Sequence, residues 1–456
     1  MGRDTETTAD DIKQVLNVGG MSDWQASRRR FIATVAGLSA VGLSGCGSDG
    51  SSTETANEPT GTGAQTGTPT PTATPTDTPA ETVTELPPET ETEEPTPSPT
   101  PTPDPTSYSD WPTYMYNEQN WGDHPDAVGP DGPVSVDWQR DLNAAQANAT
   151  AVLADGQLYV GDGRPNDDEG TLYALNPVTG ETLWSTTLDG PITGGAVVSD
   201  DFVFIATGEG FRALRTDGSV LWSSGLDGRV NFGPPTATDE AVYFGADSGR
   251  LFKINKLSGA REWTYRTFSQ IPSAPVVNDG MVFVGSRDGS IYGLNEQGGG
   301  LEWEYEKDVT VNGLSMRDGG LYAAREGGDL LKLNTRGDVL WIRDIEGNVA
   351  TTPAITEDLV YVGTRGNKLY AMDRGEGIVQ WEFDGASASI TAPPVVVEGT
   401  VYFGCQDDRV YALDDETGDR QWRFETEGAI VDPAPVVAGG RVFIGSRDGN
   451  FYALSD

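Results

Sequence analysis

RVFIGSRDGNFYAL, residues 441–454, is the stretch from which the fold is read. Val442, Phe443 and Ile444 are β-branched or aromatic, GSRDG is turn sequence, and FYAL is a second short apolar strand, so the stretch predicts a β-hairpin. Its closing phrase recurs as LYAL (172–175), FRAL (211–214), LFKI (251–254), IYGL (291–294), LLKL (330–333), LYAM (369–372), VYAL (410–413) and FYAL (451–454). These copies are spaced 39 to 41 residues apart. A fixed period of this length marks units that bury their faces only against one another.

Each unit holds four short strand candidates. In the unit after Trp381 they are PVVV (394–397), VYFG (401–404), VYAL (410–413) and QWRF (421–424). No stretch carries helical periodicity, so the unit is the blade of a β-propeller. The fourth strands carry Trp184, Trp222, Trp263, Trp303, Trp341, Trp381 and Trp422, which serves seven of the units. The last unit ends at Asp456 without a fourth strand, while Trp138 stands upstream in VSVDWQR (134–140) without a unit of its own. The expected architecture is therefore all-β: an eight-bladed β-propeller of four-stranded antiparallel blades, closed by the N-terminal strand around Trp138.

Composition removes several kinds of chemistry. With 30 Lys and Arg against 70 Asp and Glu, the formal charge is −40, which opposes general attraction to nucleic acid or anionic lipid. Lysine occurs only at positions 13, 253, 256, 307, 332 and 368. An acidic, lysine-poor composition resembles that of exported proteins of salt-loving archaea, whose carboxylates keep the surface hydrated in brine. Cys46 and Cys405 are the two cysteines and His124 the one histidine. That leaves no disulfide framework, no cysteine/histidine zinc site, no haem attachment sequence and no Ser-His-Asp triad in the repeats.

Ahead of the repeats the chain divides by composition into 1–46, 47–107 and 108–133, with 134–456 as the propeller. Either Met1 or Met21 suits as the start. SRRRFI (27–32), with Arg28 and Arg29, matches a twin-arginine export signal and leads into an apolar run to Gly45 that is too short and glycine-rich for a transmembrane helix. LSGC (43–46) resembles a lipobox that would lipidate Cys46. Residues 47–107 are Thr-, Pro- and Glu-rich, the composition of an extended stalk. In 108–133, Trp111, Tyr114, Tyr116 and Trp121 suggest an aromatic clasp packed on the ring, with His124 an ordinary loop histidine.

The expected functional rim combines the loops entering each first strand with the turns between second and third strands. The residue before each first strand reads Asn148, Thr193, Phe232, Pro272, Val311, Ala350, Thr391 and Asp432, of which only Asp432 is charged. In the turns GSRDG (285–289), GTRGN (363–367) and GSRDG (445–449), an arginine recurs as Arg287, Arg365 and Arg447. Either these three present forked donors to a partner, or each pairs with a neighbour such as Asp288 or Asp448. Cys405 aligns with Ser286, Thr364 and Ser446 and reads as packing. Asn148 opens a glycosylation sequon.

NPVTGETLW (176–184) and DDETGDRQW (414–422) resemble the tryptophan-docking repeat of pyrroloquinoline-quinone (PQQ)-like propellers. The export signal, lipobox and stalk together resemble the BamB-like propeller lipoproteins. That resemblance implies a non-catalytic scaffold without PQQ, working with protein partners. On this chain it implies a protein lipid-anchored to the outer face of the cytoplasmic membrane after twin-arginine export. The related quinoprotein dehydrogenases imply the alternative, PQQ with calcium beside a catalytic carboxylate, for which Asp432 is the one available base. Their adjacent cysteine pair and inserted loops have no counterpart here.

Overall fold

A computed structural model describes residues 108–142, 150–163, 167–225 and 233–456, apart from the side chain of Thr193. Arg28, Arg29, Cys46, Asn148 and Phe232 lie outside the described residues. Among the described residues every regular element is a β-strand, and the strands form eight antiparallel four-stranded sheets. Blade one comprises Val152–Ala154, Gln157–Gly161, Glu169–Leu175 and Thr182–Asp189. Six further blades repeat that order. The eighth takes Val436–Ala438, Arg441–Gly445 and Asn450–Ser455 from the C-terminus and Ser135–Asp141 from the N-terminus. The closing strand pairs Ser135 with Ser455 and Trp138 with Ala453, with a bulge between Val136 and Trp138. Sharing one blade between the two ends of the repeat region leaves the ring without an open edge.

Burial follows the position of each strand in its blade. The third strands are nearly continuously buried, as in Phe252, Ile254, Tyr411 and Leu413. The fourth strands alternate exposed and half-buried residues, as expected of an outer edge strand with one face on the neighbouring blade.

The tryptophans join one blade to the next. The indole N–H of Trp138 donates to Pro177 O at 3.0 Å, Trp184 to Thr216 O at 2.7 Å and Trp222 to Lys256 O at 3.0 Å. Trp263, Trp303 and Trp381 repeat the bond to Glu296 O, Thr335 O and Asp415 O, each at 2.9 Å. Each ring lies on the turn glycine of the following blade. A Cβ on Gly180 would sit 2.6 Å from the Trp138 ring, and one on Gly418 2.6 Å from Trp381. Gly180 and Gly418 also have φ of +69° and +75°, so both the left-handed backbone and the close approach require glycine.

Two tryptophans lack the carbonyl partner, each for a local reason. Trp341 would bond Arg374 O, but that oxygen already accepts from both Lys332 Nζ at 2.7 Å and Tyr322 Oη–H at 3.2 Å. Trp422 faces the eighth blade, whose third and fourth strands are not joined by a turn, and its N–H has no acceptor among the described residues.

A second eightfold feature lies in the second strands. An aromatic residue there packs against the tryptophan of its own blade, in the pairs Tyr159–Trp184, Phe204–Trp222, Tyr243–Trp263, Phe283–Trp303, Tyr322–Trp341, Tyr361–Trp381, Tyr402–Trp422 and Phe443–Trp138. Their ring centroids are 5.8 to 6.1 Å apart. Such contacts contribute about 0.5–1.5 kcal/mol beyond area burial.

Residues 108–129 thread across one end of the ring. Trp111 and Leu153 exchange backbone hydrogen bonds at 2.6 and 2.9 Å. Val198, Val277, Met316, Ile355 and Val396 each donate a first-strand N–H to a carbonyl of this segment, from Pro112, Glu118, Gln119, Trp121 and Gly122 respectively. Gly440 N–H reaches Val128 O at 2.9 Å. The segment thus supplies acceptors to inner strands that have no further strand to pair with. Trp111 and Met115 are fully buried, and Arg317 holds the crossing in place through Asp123 at 2.6 Å and the Trp121 ring at 4.3 Å. His124 is more than an ordinary loop residue. It is buried, 4.0 Å from the Tyr116 ring, with Nε2–H donating to Asp110 O at 2.9 Å and Nδ1 accepting from Asp126 N–H at 3.2 Å.

Candidate recognition mouth

At the opposite end, in six of the blades, the turn between second and third strands hangs from the loop that enters the first strand of the same blade. The backbone N–H of Arg287 donates to Gln270 O at 2.8 Å, that of Arg365 to Asn348 O at 3.0 Å and that of Arg447 to Ala429 O at 3.0 Å. The same slot holds Gly208, Glu326 and Gln406, whose N–H groups bond Pro191 O, Thr310 O and Ser389 O. The arginines occupy blades four, six and eight, so they stand on three sides of the mouth with glycine on the fourth.

Below the turns is an apolar collar. The N–H groups of Ile192, Ile271, Val311, Ile390 and Ile430 donate to Asp162, Ala246, Ser286, Thr364 and Cys405 carbonyls. Their side chains press on the glycines that end the second strands. A Cβ on Gly161, Gly245, Gly285, Gly363 or Gly404 would lie 2.1 to 2.5 Å from them.

The collar corrects the sequence alignment of the rim. Pro272 and Thr391 each follow the collar residue by one position, but Val311 is the collar residue itself and Asp432 follows Ile430 by two. The loop of blade eight carries one more residue between collar and first strand than the corresponding loop of blade seven, and Asp432 occupies the resulting extra place. This is why the acid has no counterpart around the ring.

The neighbouring carboxylates do not pair with the arginines. Asp288 accepts from Ser290 N–H at 2.9 Å, Phe268 N–H at 2.8 Å and Tyr292 Oη–H at 3.0 Å. Asp448 accepts from Asn450 N–H at 2.7 Å, Glu427 N–H at 3.2 Å and Tyr452 Oη–H at 2.6 Å. Each aspartate closes its own turn. Arg287, Arg365 and Arg447 are exposed, and among the described residues none of the three forms an ion pair.

Inside the mouth lies a cavity of about 440 Å³, bordered by Arg287, Arg365, Asp432, Gln270 and Gln406 and reached from the far end by Tyr114. Tyr114 comes from the clasp, is buried, and its hydroxyl donates to Thr352 Oγ1 at 3.0 Å. Burial and the nearby Asp432 charge push its phenol well above the ordinary tyrosine range. Asp432 is accessible to the water of the cavity while protein surrounds it. Desolvation raises its pKa above the usual carboxylate value, and the fields of Arg447, Arg365 and Arg287, in that order, oppose the rise without cancelling it. Cys405 is buried with its thiol against Ala388 O at 3.4 Å and its pKa pushed up by burial to about 12, so it is packing and not a nucleophile.

The residues present do not suit calcium held beside PQQ. A dication needs several oxygen ligands, but the groups whose fields reach Asp432 are three guanidinium ions. Among the described residues no cluster of three or more His, Cys, Asp or Glu has the spacing to hold a metal.

Eight tryptophan-docked, four-stranded blades in a closed ring define a PQQ-like β-propeller. Residues 135–216, 209–348 and 311–456 match the family described as "Outer membrane protein assembly factor BamB", and the chain belongs to that family. It is 26% identical over 265 residues to the protein of that name from Yersinia pestis, covering 54% of this chain and 56% of the relative. The chain thus spans about half the length of that curated relative. The crystal structure of BamB from Moraxella catarrhalis superposes with a TM-score of 0.60 at 20% identity, covering 71% of this chain and all of that one. Quinohemoprotein alcohol dehydrogenase from Comamonas testosteroni superposes with a TM-score of 0.64 at 14% identity, covering 76% and 80%. Both likenesses concern the fold alone.

Proposed function

We propose that the protein is a non-catalytic interaction scaffold, exported through its twin-arginine signal, lipid-anchored at Cys46 to the outer face of the cytoplasmic membrane, and engaging protein partners through the mouth of its propeller. The observation that carries this reading is the set of three exposed arginines, Arg287, Arg365 and Arg447, raised on equivalent turns without ion-pair partners among the described residues, in a chain of charge −40. Unpaired guanidinium groups on a rigid frame are available for forked hydrogen bonds. Family membership supports the scaffold role, since the relatives are named as assembly factors.

The enzyme alternative rests on Asp432, which stands in cationic surroundings. Reconstitution with PQQ and calcium in high salt separates the two readings. The scaffold reading expects neither cofactor absorbance nor dye reduction with alcohols or sugars, and either signal would overturn it. Export and anchoring are tested by mass analysis of the N-terminus extracted from membranes. A lipid-modified Cys46 is expected; an uncleaved or unmodified terminus contradicts the anchor. Capture of membrane proteins by the full chain is expected to weaken when Arg287, Arg365 and Arg447 are changed together to Ala, and unaltered capture excludes this mouth as the contact.

A further inference from the structure

The cavity and its charge point to a small built site within the mouth. Its volume of about 440 Å³ lies in the range of ligand sites, roughly 300–1,000 Å³. Arg287 and Arg365 border the cavity together with Gln270 and Gln406, while Arg447 stands on blade eight, opposite Arg287, and exerts the strongest of the three arginine fields at Asp432. Tyr114, held by Thr352, lines the cavity on the clasp side, and the arginine turns stand on the other.

We propose that this well binds a carboxylate, received by the guanidinium groups of Arg365 and Arg447 with Arg287 across the mouth, and that Asp432 is the internal counter-charge occupying their field when no ligand is present. Asp432 lies within the field of all three arginines but forms no ion pair with any of them among the described residues. The guanidinium groups therefore keep their forked donors free for an incoming acid. Asp247 also borders the cavity and has an interaction of its own. The extra residue before the first strand of blade eight is what brings Asp432 to this place. On the opposite side Gly208 fills the arginine slot without a side chain.

The carboxylate can come from a free small acid or from the C-terminal end of a partner chain. The second source deepens the scaffold reading and rests on it; the site itself does not. Isothermal titration of the full chain, at the lowest salt that preserves its far-ultraviolet circular dichroism, uses three probes: succinate, a short peptide with a free C-terminus, and the same peptide amidated. Saturable binding of succinate, or of the free peptide and not the amide, is the expected result and distinguishes the sources. An R365A/R447A variant is expected to lose about tenfold or more in affinity. D432N is expected to gain several-fold, because it removes the competing charge, and this gain is a sign that mere structural damage does not imitate. Absence of saturable binding by succinate and by the free peptide, equal binding of peptide and amide without succinate binding, unchanged affinity in R365A/R447A, or weakened affinity in D432N each overturns the proposal. None of these outcomes depends on capture of a membrane partner, so the site and the scaffold reading fail separately.

Discussion

The two ends of the channel are built from the same strands yet meet different demands. At the clasp end, the exposed N–H groups of the inner strands are satisfied by one continuous segment, whose side chains Trp111 and Met115 leave no accessible surface. At the mouth, the repeat satisfies its own backbone through turn-to-loop hydrogen bonds and still raises three arginines that form no ion pair among the described residues. A terminal segment can thus complete the fold on one face, leaving the repeat's turns on the other face to vary in charge without structural cost.

This contrast predicts unequal responses to mutation. The largest effect is expected at the clasp, where Trp111→Ala leaves a large cavity and costs about 3–5 kcal/mol, read by guanidinium denaturation in high salt. Gly122→Ala comes next, at about 1–3 kcal/mol. Gly122 has φ of +63°, and an added Cβ would stand 2.4 Å from Met115 Cε and 2.9 Å from Ala354 Cβ. Changing Arg287, Arg365 and Arg447 together to Ala is expected to shift stability by only about 0.5 kcal/mol. A loss as large as that of Trp111→Ala would mean that the mouth is structural as well.

The smallest effects are those of pH, and they carry opposite signs at the two ends. Burial lowers the His124 pKa below 6.5, so its neutral form contributes stability that is complete above 6.5 and is lost as pH falls through the folded-state value. Desolvation raises the Asp432 pKa, so its contribution is complete below 3.8 and is lost as pH rises through the folded-state value. His124→Asn is expected to flatten the stability profile between 6.5 and the carboxylate range. Asp432→Asn is expected to raise the melting temperature at neutral pH while leaving it unchanged in strong acid. Thermal melts across pH check both signs.

Much of the ring was legible in the sequence because repetition multiplies a weak local pattern. The eight blades, the docking tryptophans and closure by the strand around Trp138 all followed from spacing. The second-strand aromatics, Tyr159 through Phe443, carry an equally regular signal, but one that varies between Tyr and Phe and so lacks the single-residue signature of the tryptophans. Two features were hidden for physical reasons. The one-residue insertion before Val436 shifts Asp432 inward, but a count from the strand cannot reveal it, since strand and collar define different registers. The path of 108–129 across six inner strands depends on backbone carbonyls, which have no sequence signature. Asp288 and Asp448 were plausible partners by proximity in the chain; their own turns and Tyr292 and Tyr452 take them instead.

The division of labour between the two ends is tested most directly by amide hydrogen exchange of the full chain with and without the free-carboxyl peptide. The expected result is slowed exchange in the turns at 285–289, 363–367 and 445–449, with residues 108–129 unchanged. Protection confined to the clasp or to the outer fourth strands would contradict the assignment of recognition to the arginine mouth.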